Sequence, residues 1–251
     1  QTRRLIELDL PIDQISAECV RERRFSLVGN VLPPNYWLHV WWARRPLIVS
    51  RAAILASLLP AECQKKRFLE VIGIRGDPVE THRLMGIANQ ENRRLPGDLY
   101  GYPRAWKYTP DESDQRWIRD QLGSDIHEIT MLDPTAGGGS IALEGLRLGI
   151  RVIANDLNPV ACIILSATVT FPSVYGKRLL TRFSELAEEF QRRASPRFEG
   201  IFPRELPGTN VDAYLWARTV TCPYCAGLVP LSPNWRLDSK GTGVRLVPQT
   251  A

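Results

Sequence analysis

The chain has 251 residues, 44% of them hydrophobic and 24% charged, which is the composition of an ordinary soluble globular protein with one large domain or a core with appended modules. Its 32 Lys and Arg exceed its 27 Asp and Glu, so the net charge of +5 mildly favours a partner that carries phosphate groups. Five cysteines, three of them scattered far apart, exclude a secreted disulfide framework, and the absence of a long uncharged apolar run excludes a membrane span.

The N-terminal segment, residues 1–60, begins with charges among its apolar positions and lacks the pattern of a signal peptide, so we expect a protein of the reducing cytoplasm. Because the chain starts with Gln and ends without a closing element, we also expect a fragment of a longer polypeptide. Apolar residues at helical spacing predict a packing helix before residue 28, and its charged end, including Arg21 and Glu22, is expected to face solvent.

An unusual group of aromatic and basic residues occupies residues 37–47, which we call the aromatic segment. It holds three Trp, one His and two adjacent Arg. Large aromatic rings beside fixed positive charge need a partner, either each other or a ligand. The segment therefore predicts either a Trp cluster that closes one end of a sheet, with the arginines outside, or a ligand-binding face.

Regularly spaced apolar residues predict a helix from Leu47 to Leu59, which Pro60 terminates and which should pack on a sheet. Residues 61–125 carry more charge and are punctuated by Gly and Pro, which predicts a mostly helical insertion. We expect the N-terminal segment to belong to the same core as the residues that follow this insertion.

The segment that indicates a chemistry is residues 129–159, which predicts a strand, a glycine-rich loop, a helix and a second strand. The first strand ends at Asp133, and residues 137–139 are all glycine, so that the backbone can approach a ligand closely before the helix starts. The second strand ends at Asp156, whose carboxylate is placed to accept hydrogen bonds from ribose hydroxyls. The pattern predicts the adenosine-binding half of an α/β fold.

Spacing alone leaves the identity of the adenosine cofactor open. Residues 137–142 also satisfy the dinucleotide fingerprint in its G-x-G-x-x-A form, so NAD is one interpretation and a methyl-donating nucleoside is another. A third interpretation is a structural turn that binds no ligand.

Beyond this unit, Asn158 and Pro159 predict the start of an apolar helix, and residues 176–194 predict an amphipathic helix. We expect its apolar side to face inward, with Leu179, Leu180, Phe183, Leu186, Ala187 and Phe190. Three prolines then predict a linker into a separate module, so that residues 196–251 form the last part of the chain.

Cys222 and Cys225 lie in a strand-to-turn sequence of the form C-P-x-C-x-G, which is typical of half a zinc ribbon. Two thiolates separated by two residues can bind one tetrahedral ion, so we expect a structural zinc. No Cys or His follows Cys225, and the other ligands must come from beyond the chain or from a partner. A redox C-x-x-C pair and a metal-free turn are the alternatives.

Residues 133–139, Asp-Pro-Thr-Ala-Gly-Gly-Gly, resemble the D-P-F-x-G-x-G motif of S-adenosylmethionine-dependent DNA amino-methyltransferases, and residues 155–159 are similar to the ribose-binding motif of that family. With the W-W-A-R-R-P-L sequence of residues 41–47 and the cysteine pair, nearly the whole chain resembles adenine-specific DNA methylases that contain a zinc ribbon. The resemblance implies an α/β, Rossmann-like class I methyltransferase fold with residues 126–195 as its cofactor-binding core, a helical insertion and a partial zinc ribbon.

The resemblance also implies which residues bind S-adenosylmethionine. His39, Trp42 and Arg44 are similar to the H-x-x-x-A-K/R-x-P pattern that lines the methionine end of the cofactor pocket, although the Trp pair and the second arginine depart from it. We expect that second arginine, Arg45, to contact nucleic acid. The other cofactor-binding residues are expected at the two strand ends: Asp133, Pro134, Thr135, Ala136, Gly137, Gly139, Asp156 and Leu157.

The activity that the resemblance implies is methyl transfer to the N6 amino group of adenine in DNA, in a restriction-modification or phage-defence setting, with the base turned out of the duplex. The D/N/S-P-P-Y/F motif of these enzymes is missing, because residues 32–36, Leu-Pro-Pro-Asn-Tyr, lack an acid or amide before the prolines and precede the cofactor motif. A cytosine-N4 methyltransferase is one alternative. Another is a non-catalytic nucleic-acid-binding subunit of a larger restriction or defence complex.

Overall fold

The structure is a computed structural model that describes residues 3–23, 32–93, 95, 97–201, 216–232, 235–238 and 241–244. It is a mixed helix and sheet architecture with two compact units, Gln1–Leu186 and Ala187–Ala251. Helices predominate in the first unit, and the second contains a short antiparallel hairpin.

Most of the helices precede the parallel strands along the chain. They are α1 (Leu5–Leu8), α2 (Ile12–Arg23), α3 (Pro34–Leu38), α4 (Leu47–Leu58), α5 (Lys65–Val71), α6 (Pro78–Gln90) and α7 (Glu112–Leu122). Helix α8 (Ser140–Arg147) lies between the strands, and after them come α9 (Pro159–Leu165), a π-helical turn (Ser166–Thr170), α10 (Phe171–Tyr175) and α11 (Arg178–Ala194). Within the described ranges, we find no helix that combines the length and the apolar character of a membrane span.

A two-stranded parallel sheet contains the strand, loop, helix and strand that residues 129–159 predict. Strand β1 (Thr130–Asp133) pairs with β2 (Arg151–Ala154), so that Asp133 lies opposite Ala154. Helix α8 connects the strands and packs against both. The carboxyl ends of parallel strands meet at the same edge, so the two predicted acidic turns lie side by side. A Rossmann-like sheet has more strands, and the described residues show a single β-α-β unit in a mixed architecture.

Helix α4 lies in the centre of the hydrophobic core and packs against α1, α2 and α8. The core joins Leu55 of α4 to Phe68 and Ile118 from residues 61–125 and to Leu148 at the end of α8. The region predicted as an insertion therefore packs into the same core as the β-α-β unit.

A fully buried ion pair joins α4 to α8. Arg51 Nε donates to Glu144 Oε2 over 2.6 Å, and both side chains are 0% exposed. Arg51 Nη1 also donates to the carbonyl oxygens of Ile72 and Ala105, while Arg147 Nη1 donates to Glu144 Oε1 over 2.6 Å. One arginine thus holds two helices and two connecting segments together.

Two residues at the charged end of α2, Arg21 and Glu22, are buried, contrary to the expectation that this end faces solvent. Arg23 is exposed as expected, and Arg24 lies outside the described residues. Arg21 and Glu22 are both almost inaccessible. The Glu22 carboxylate accepts hydrogen bonds from the N–H groups of Leu47 and Ile48 at the N-terminus of α4, where unpaired donors favour a negative charge. Burial raises the pKa of Glu22, and these two backbone hydrogen bonds offset part of that increase. The sequence alone suggests that a run of charged residues faces solvent, because it does not show which distant groups these residues contact in the folded protein.

The prediction that the apolar side of α11 faces inward was wrong for most of its residues. Leu180, Phe183, Leu186 and Phe190 are exposed. The periodicity of the sequence identifies the apolar side of a helix, but it contains no information on what covers that side.

We expect Arg51→Ala to lower the free energy of unfolding by about 3–5 kcal/mol, because it removes one partner of a buried ion pair and leaves two buried carbonyl oxygens without their donor. Urea denaturation of the purified protein measures this loss. Arg83→Ala, which breaks an exposed pair with Glu80 on α6, is the matched control and should hardly move the urea midpoint. Equal midpoints for the two variants would contradict the role assigned to Arg51.

Candidate functional site

The candidate site lies at the carboxyl ends of β1 and β2, where two loops are joined by backbone hydrogen bonds. Residues 134–139, which we call the glycine loop, follow β1. The Ala136 N–H donates to the carbonyl of Asn155 over 2.9 Å, and the Asn155 N–H donates to the carbonyl of Asp133 over 2.9 Å. These bonds extend the pairing of the two strands into their loops and fix the distance between the two acidic residues that the sequence predicts as cofactor ligands.

Asp156 contacts the glycine loop directly. Its Oδ2 accepts a hydrogen bond from the Gly137 N–H over 2.8 Å, and its Oδ1 accepts one from the Asn158 N–H over 2.8 Å. The N–H groups of Asn158 and Gly137 hold the pKa of Asp156 below its ordinary value. An ionised carboxylate with one backbone donor on each oxygen still has lone pairs for further donors. The structure therefore brings together Gly137 and Asp156, the two residues on which the predicted site depends.

Asp133 is the second carboxylate of the site and has the opposite electrostatic environment. Its side chain is buried, and among the described residues no donor reaches its Oδ2. Burial raises the pKa of Asp133; the Thr135 N–H lowers it in part, and the carboxylate of Asp156 raises it further. A buried acceptor without a donor is costly, and burial therefore favours the neutral form of the Asp133 carboxyl group.

Trp41 covers the glycine loop, whereas the sequence interpretation placed its neighbour Trp42 at the cofactor pocket and gave Trp41 no role. A Cβ atom added to Gly137 would lie 2.7 Å from Trp41 Nε1, and one added to Gly138 would lie 3.2 Å from Trp41 Cβ. Only glycine leaves room for the indole at this distance. The sequence contained a clue to this contact, since Trp41 lies in the aromatic segment next to Trp42, which was predicted to bind the cofactor.

The other residues predicted in the aromatic segment lie around a different hollow. Trp42, Arg44 and Arg45 line a cavity of about 500 Å³ together with Arg23 and Tyr36, which we call the arginine cavity. The Trp42 side chain is 80% exposed, and its ring meets that of Trp41 edge to face at a centroid distance of 5.0 Å. The two tryptophans thus connect the arginine cavity with the glycine loop.

The remaining predicted cofactor residues differ in how accessible they are. Gly137 and Gly139 are buried, and Ala136 is half-buried. His39, Pro134 and Thr135 are exposed, and Leu157 is 99% exposed. Three of these exposed residues contact the site through their backbone: the Thr135 N–H donates to Asp133, the Leu157 N–H donates to Asp156, and the Pro134 carbonyl accepts from Asn155 Nδ2 over 3.2 Å.

The cysteine pair lies in a hairpin of the second unit. Strands β3 (Arg218–Thr221) and β4 (Leu228–Leu231) are antiparallel, and the Cys222 N–H donates to the Gly227 carbonyl over 2.8 Å. The N–H groups of Tyr224 and Cys225 lower the pKa of Cys222, which favours the thiolate that a metal requires. Across the described ranges, no three His, Cys, Asp or Glu side chains are grouped as a metal site.

One protein-family model matches the N-terminal part of the chain. Residues 9–71 match a family model described as "Protein of unknown function (DUF1156)". The matched range includes Trp41, which covers the glycine loop, and Arg51, which pairs with Glu144. No curated protein and no solved structure gives a significant match. The family match assigns no activity, so the function is argued from the site itself.

We expect Gly137→Ala to destabilise the protein by about 1–3 kcal/mol more than Gly123→Ala, because it forces Trp41 to move in addition to straining the backbone. Both glycines have positive φ, +52° and +68°, but a Cβ at Gly123 would meet open space. Urea denaturation of each variant gives the difference. In a Trp41→Ala background the two substitutions should lower the free energy of unfolding by the same amount. A difference that persists in this background would show that contact with Trp41 does not cause the extra destabilisation.

Proposed function

We propose that this chain forms the cofactor-binding part of an S-adenosylmethionine-dependent DNA methyltransferase that modifies the N6 amino group of adenine, with an α/β, Rossmann-like class I core. The observation that carries the proposal is the 2.8 Å hydrogen bond from the Gly137 N–H to Asp156 Oδ2. It holds an ionised acid against a glycine loop at the carboxyl ends of two parallel strands, which is where α/β proteins bind nucleoside cofactors.

The two carboxylates suit different parts of S-adenosylmethionine. Asp156 stays ionised and retains lone pairs for the hydroxyl groups of a ribose. Within the part of the chain that the structure describes, no donor reaches Oδ2 of Asp133, and we propose that the ammonium group of the methionine supplies that bond and favours the charged form of the acid. The site residues therefore fit both the sugar and the amino-acid end of the cofactor.

The contribution of the chain to the reaction is mainly one of position. When bound, S-adenosylmethionine supplies a methyl group whose bond to sulfur breaks as its bond to the amino nitrogen forms, with one proton released to solvent. The Trp41 ring occupies the space beside Gly137 and Gly138, so we propose that the cofactor packs against this ring and contacts the backbone of the glycine loop elsewhere. Holding donor and acceptor in line removes much of the entropic cost of a two-substrate reaction.

The arginine cavity supports DNA as the substrate. Arg23, Arg44 and Arg45 line a hollow of about 500 Å³ beside the exposed ring of Trp42. Arg23 donates to the Arg44 carbonyl over 3.0 Å, and Arg44 stacks on the Tyr36 ring at 5.1 Å from its centroid. Arginines bind phosphate groups, and an exposed aromatic ring beside them can stack on a base. The net charge of +5 also favours binding to the phosphate groups of DNA. We propose that DNA approaches the glycine loop from this side of the aromatic segment.

We propose that Cys222 and Cys225 bind a structural zinc ion. The residues fit one half of a tetrahedral site, because both thiols are at a tight turn whose N–H groups stabilise a thiolate. A tetrahedral site needs two further ligands.

Isothermal titration with S-adenosylmethionine tests the proposed function. We expect the wild-type chain to bind the cofactor and Asp156→Ala to bind it at least tenfold more weakly, since the variant loses the acceptor for the ribose hydroxyls. Asp77→Ala is the matched control, because Asp77 likewise accepts two backbone N–H bonds but lies at the start of α6.

The outcomes of this titration separate the alternatives. Binding of NAD without binding of S-adenosylmethionine would overturn the proposal in favour of a dinucleotide site. No heat with either ligand would favour a non-catalytic subunit that binds nucleic acid.

Elemental analysis of the purified protein tests the zinc proposal. We expect zinc to accompany the wild-type chain when it is purified together with the partner that supplies the other two ligands, and to be lost in Cys222→Ser and in Cys225→Ser, because each variant removes one of the two thiolates of the pair. Cys162→Ser, which changes an exposed cysteine on α9, should retain the wild-type content. Equal zinc in all four proteins would show that the pair is not the ligand.

A further inference from the structure

Helix α11 is long and amphipathic, and its apolar side is uncovered. The helix has 17 residues, and none of them is buried. Leu180, Phe183 and Phe190 each expose between 69% and 73% of their surface. An isolated helix of this length is marginal in water, because most helical stability in proteins comes from packing of the apolar face. Within the part of the chain that the structure describes, nothing buries this face.

The spacing of the apolar side chains indicates that the partner is another helix. Leu179, Phe183, Leu186 and Phe190 follow one another at intervals of four, three and four residues. This is the alternation of a and d positions in a coiled coil, where apolar residues recur about every 3.5 residues. We call these four residues the α11 seam. Its length suits a short contact between two helices.

The charged residues beside the seam favour a second copy of the same helix in the antiparallel direction. Arg182 and Glu189 both occupy g positions, on one side of the seam. In an antiparallel pair the g positions of the two helices face each other, so Arg182 of each copy meets Glu189 of the other. In a parallel pair Arg182 would meet Ala187 instead, and no ion pair would form. Charge complementarity therefore selects the antiparallel arrangement.

Both charged side chains are accessible to such a contact. Arg182 pairs with Glu185 over 2.8 Å, and Glu189 pairs with Arg192 over 2.8 Å, at the surface of the helix. Exposed pairs three residues apart contribute little to stability, so they oppose a contact between copies only weakly. The carboxylate of Glu189 beside the seam also disfavours an anionic surface as the partner.

We propose that two copies of this chain associate through the α11 seam, as antiparallel helices related by a two-fold axis. The axis passes between Phe183 and Leu186, so that each of these residues packs on the other in the second copy, and Leu179 likewise packs on Phe190. A two-fold contact is self-complementary, because one surface patch serves both partners. The association would carry two candidate sites, one on each copy, and it does not depend on the proposed methyl transfer.

The size of the surface predicts a weak and reversible dimer. About five exposed apolar side chains per copy, at about 100 Å² each, give roughly 1,000 Å² of surface buried by the two copies together, below the 1,200–2,000 Å² of standard interfaces. We therefore expect a dissociation constant in the micromolar range.

Sedimentation velocity of the whole chain at about 5–500 µM, a range that brackets such a dissociation constant, tests the association. We expect the sedimentation coefficient of the wild type to rise from that of a monomer to that of a dimer. Phe183→Glu should raise the dissociation constant at least tenfold, because it places a charge in the apolar seam. Thr181→Glu introduces the same charge at an exposed position on the opposite side of α11, so this matched control should associate like the wild type.

A charge exchange tests the antiparallel direction. Arg182→Glu and Glu189→Arg should each weaken self-association, because like charges then face each other at both ends of the contact. An equimolar mixture of the two variants should associate again, since one helix of each kind restores both opposite-charge pairs. Circular dichroism verifies that each variant keeps its helical content.

The outcomes that would overturn the inference are distinct. A wild-type chain that stays monomeric at the highest concentration would exclude the second copy as the partner, as would a dimer that Phe183→Glu leaves intact. A mixture of charge variants that stays monomeric beside a dimeric wild type would contradict the antiparallel pairing. Phe183-dependent sedimentation of a monomeric chain with phosphatidylglycerol vesicles would indicate a lipid surface instead.

Discussion

The structure depends on one buried interaction, the ion pair between Arg51 and Glu144. It joins α4 to α8, and each of these helices begins where a segment of the candidate site ends. The aromatic segment leads into α4 and the glycine loop leads into α8, so fixing the two helices to each other fixes Trp41 over Gly137. If either charged group moved away, the other would be left as an unpaired buried charge, which is strongly destabilising. The ion pair therefore resists displacement of the two helices. A family-matched N-terminal region thus becomes a structural part of a site that lies 90 residues further along the chain.

The candidate site combines two carboxylates whose pKa values the fold shifts in opposite directions. Backbone N–H groups stabilise the charge on Asp156, whereas burial opposes the charge on Asp133. Both effects follow from the parallel pairing of β1 and β2, which places one acid at an open turn and the other beneath the loop. A ligand with hydroxyl groups at one end and a cationic donor at the other matches this difference. S-adenosylmethionine has both, which is why we propose it before NAD.

Helix α8 separates two hollows of different character. On one side the glycine loop and its acids form a polar site, and on the other Leu143 and Arg147 of α8 line a mostly apolar cavity. Thr168 contributes to the boundary between them.

The sequence by itself determined the β-α-β unit, the acid at each strand end and the helix after residues 158–159, because each is set by local chemistry: apolar runs, glycine runs and a capping asparagine. Tertiary structure decided the rest. The sequence predicted a solvent-facing end for α2, but Glu22 is buried as the cap of α4. It predicted Trp42 in the cofactor pocket, whereas Trp41 is the tryptophan that contacts the glycine loop. It gave no sign that Asn35 and Trp106, far apart in the chain, would line one cavity. Such pairings arise when helices pack together and bring residues that are far apart in the sequence into contact. A local sequence pattern contains no information about these contacts.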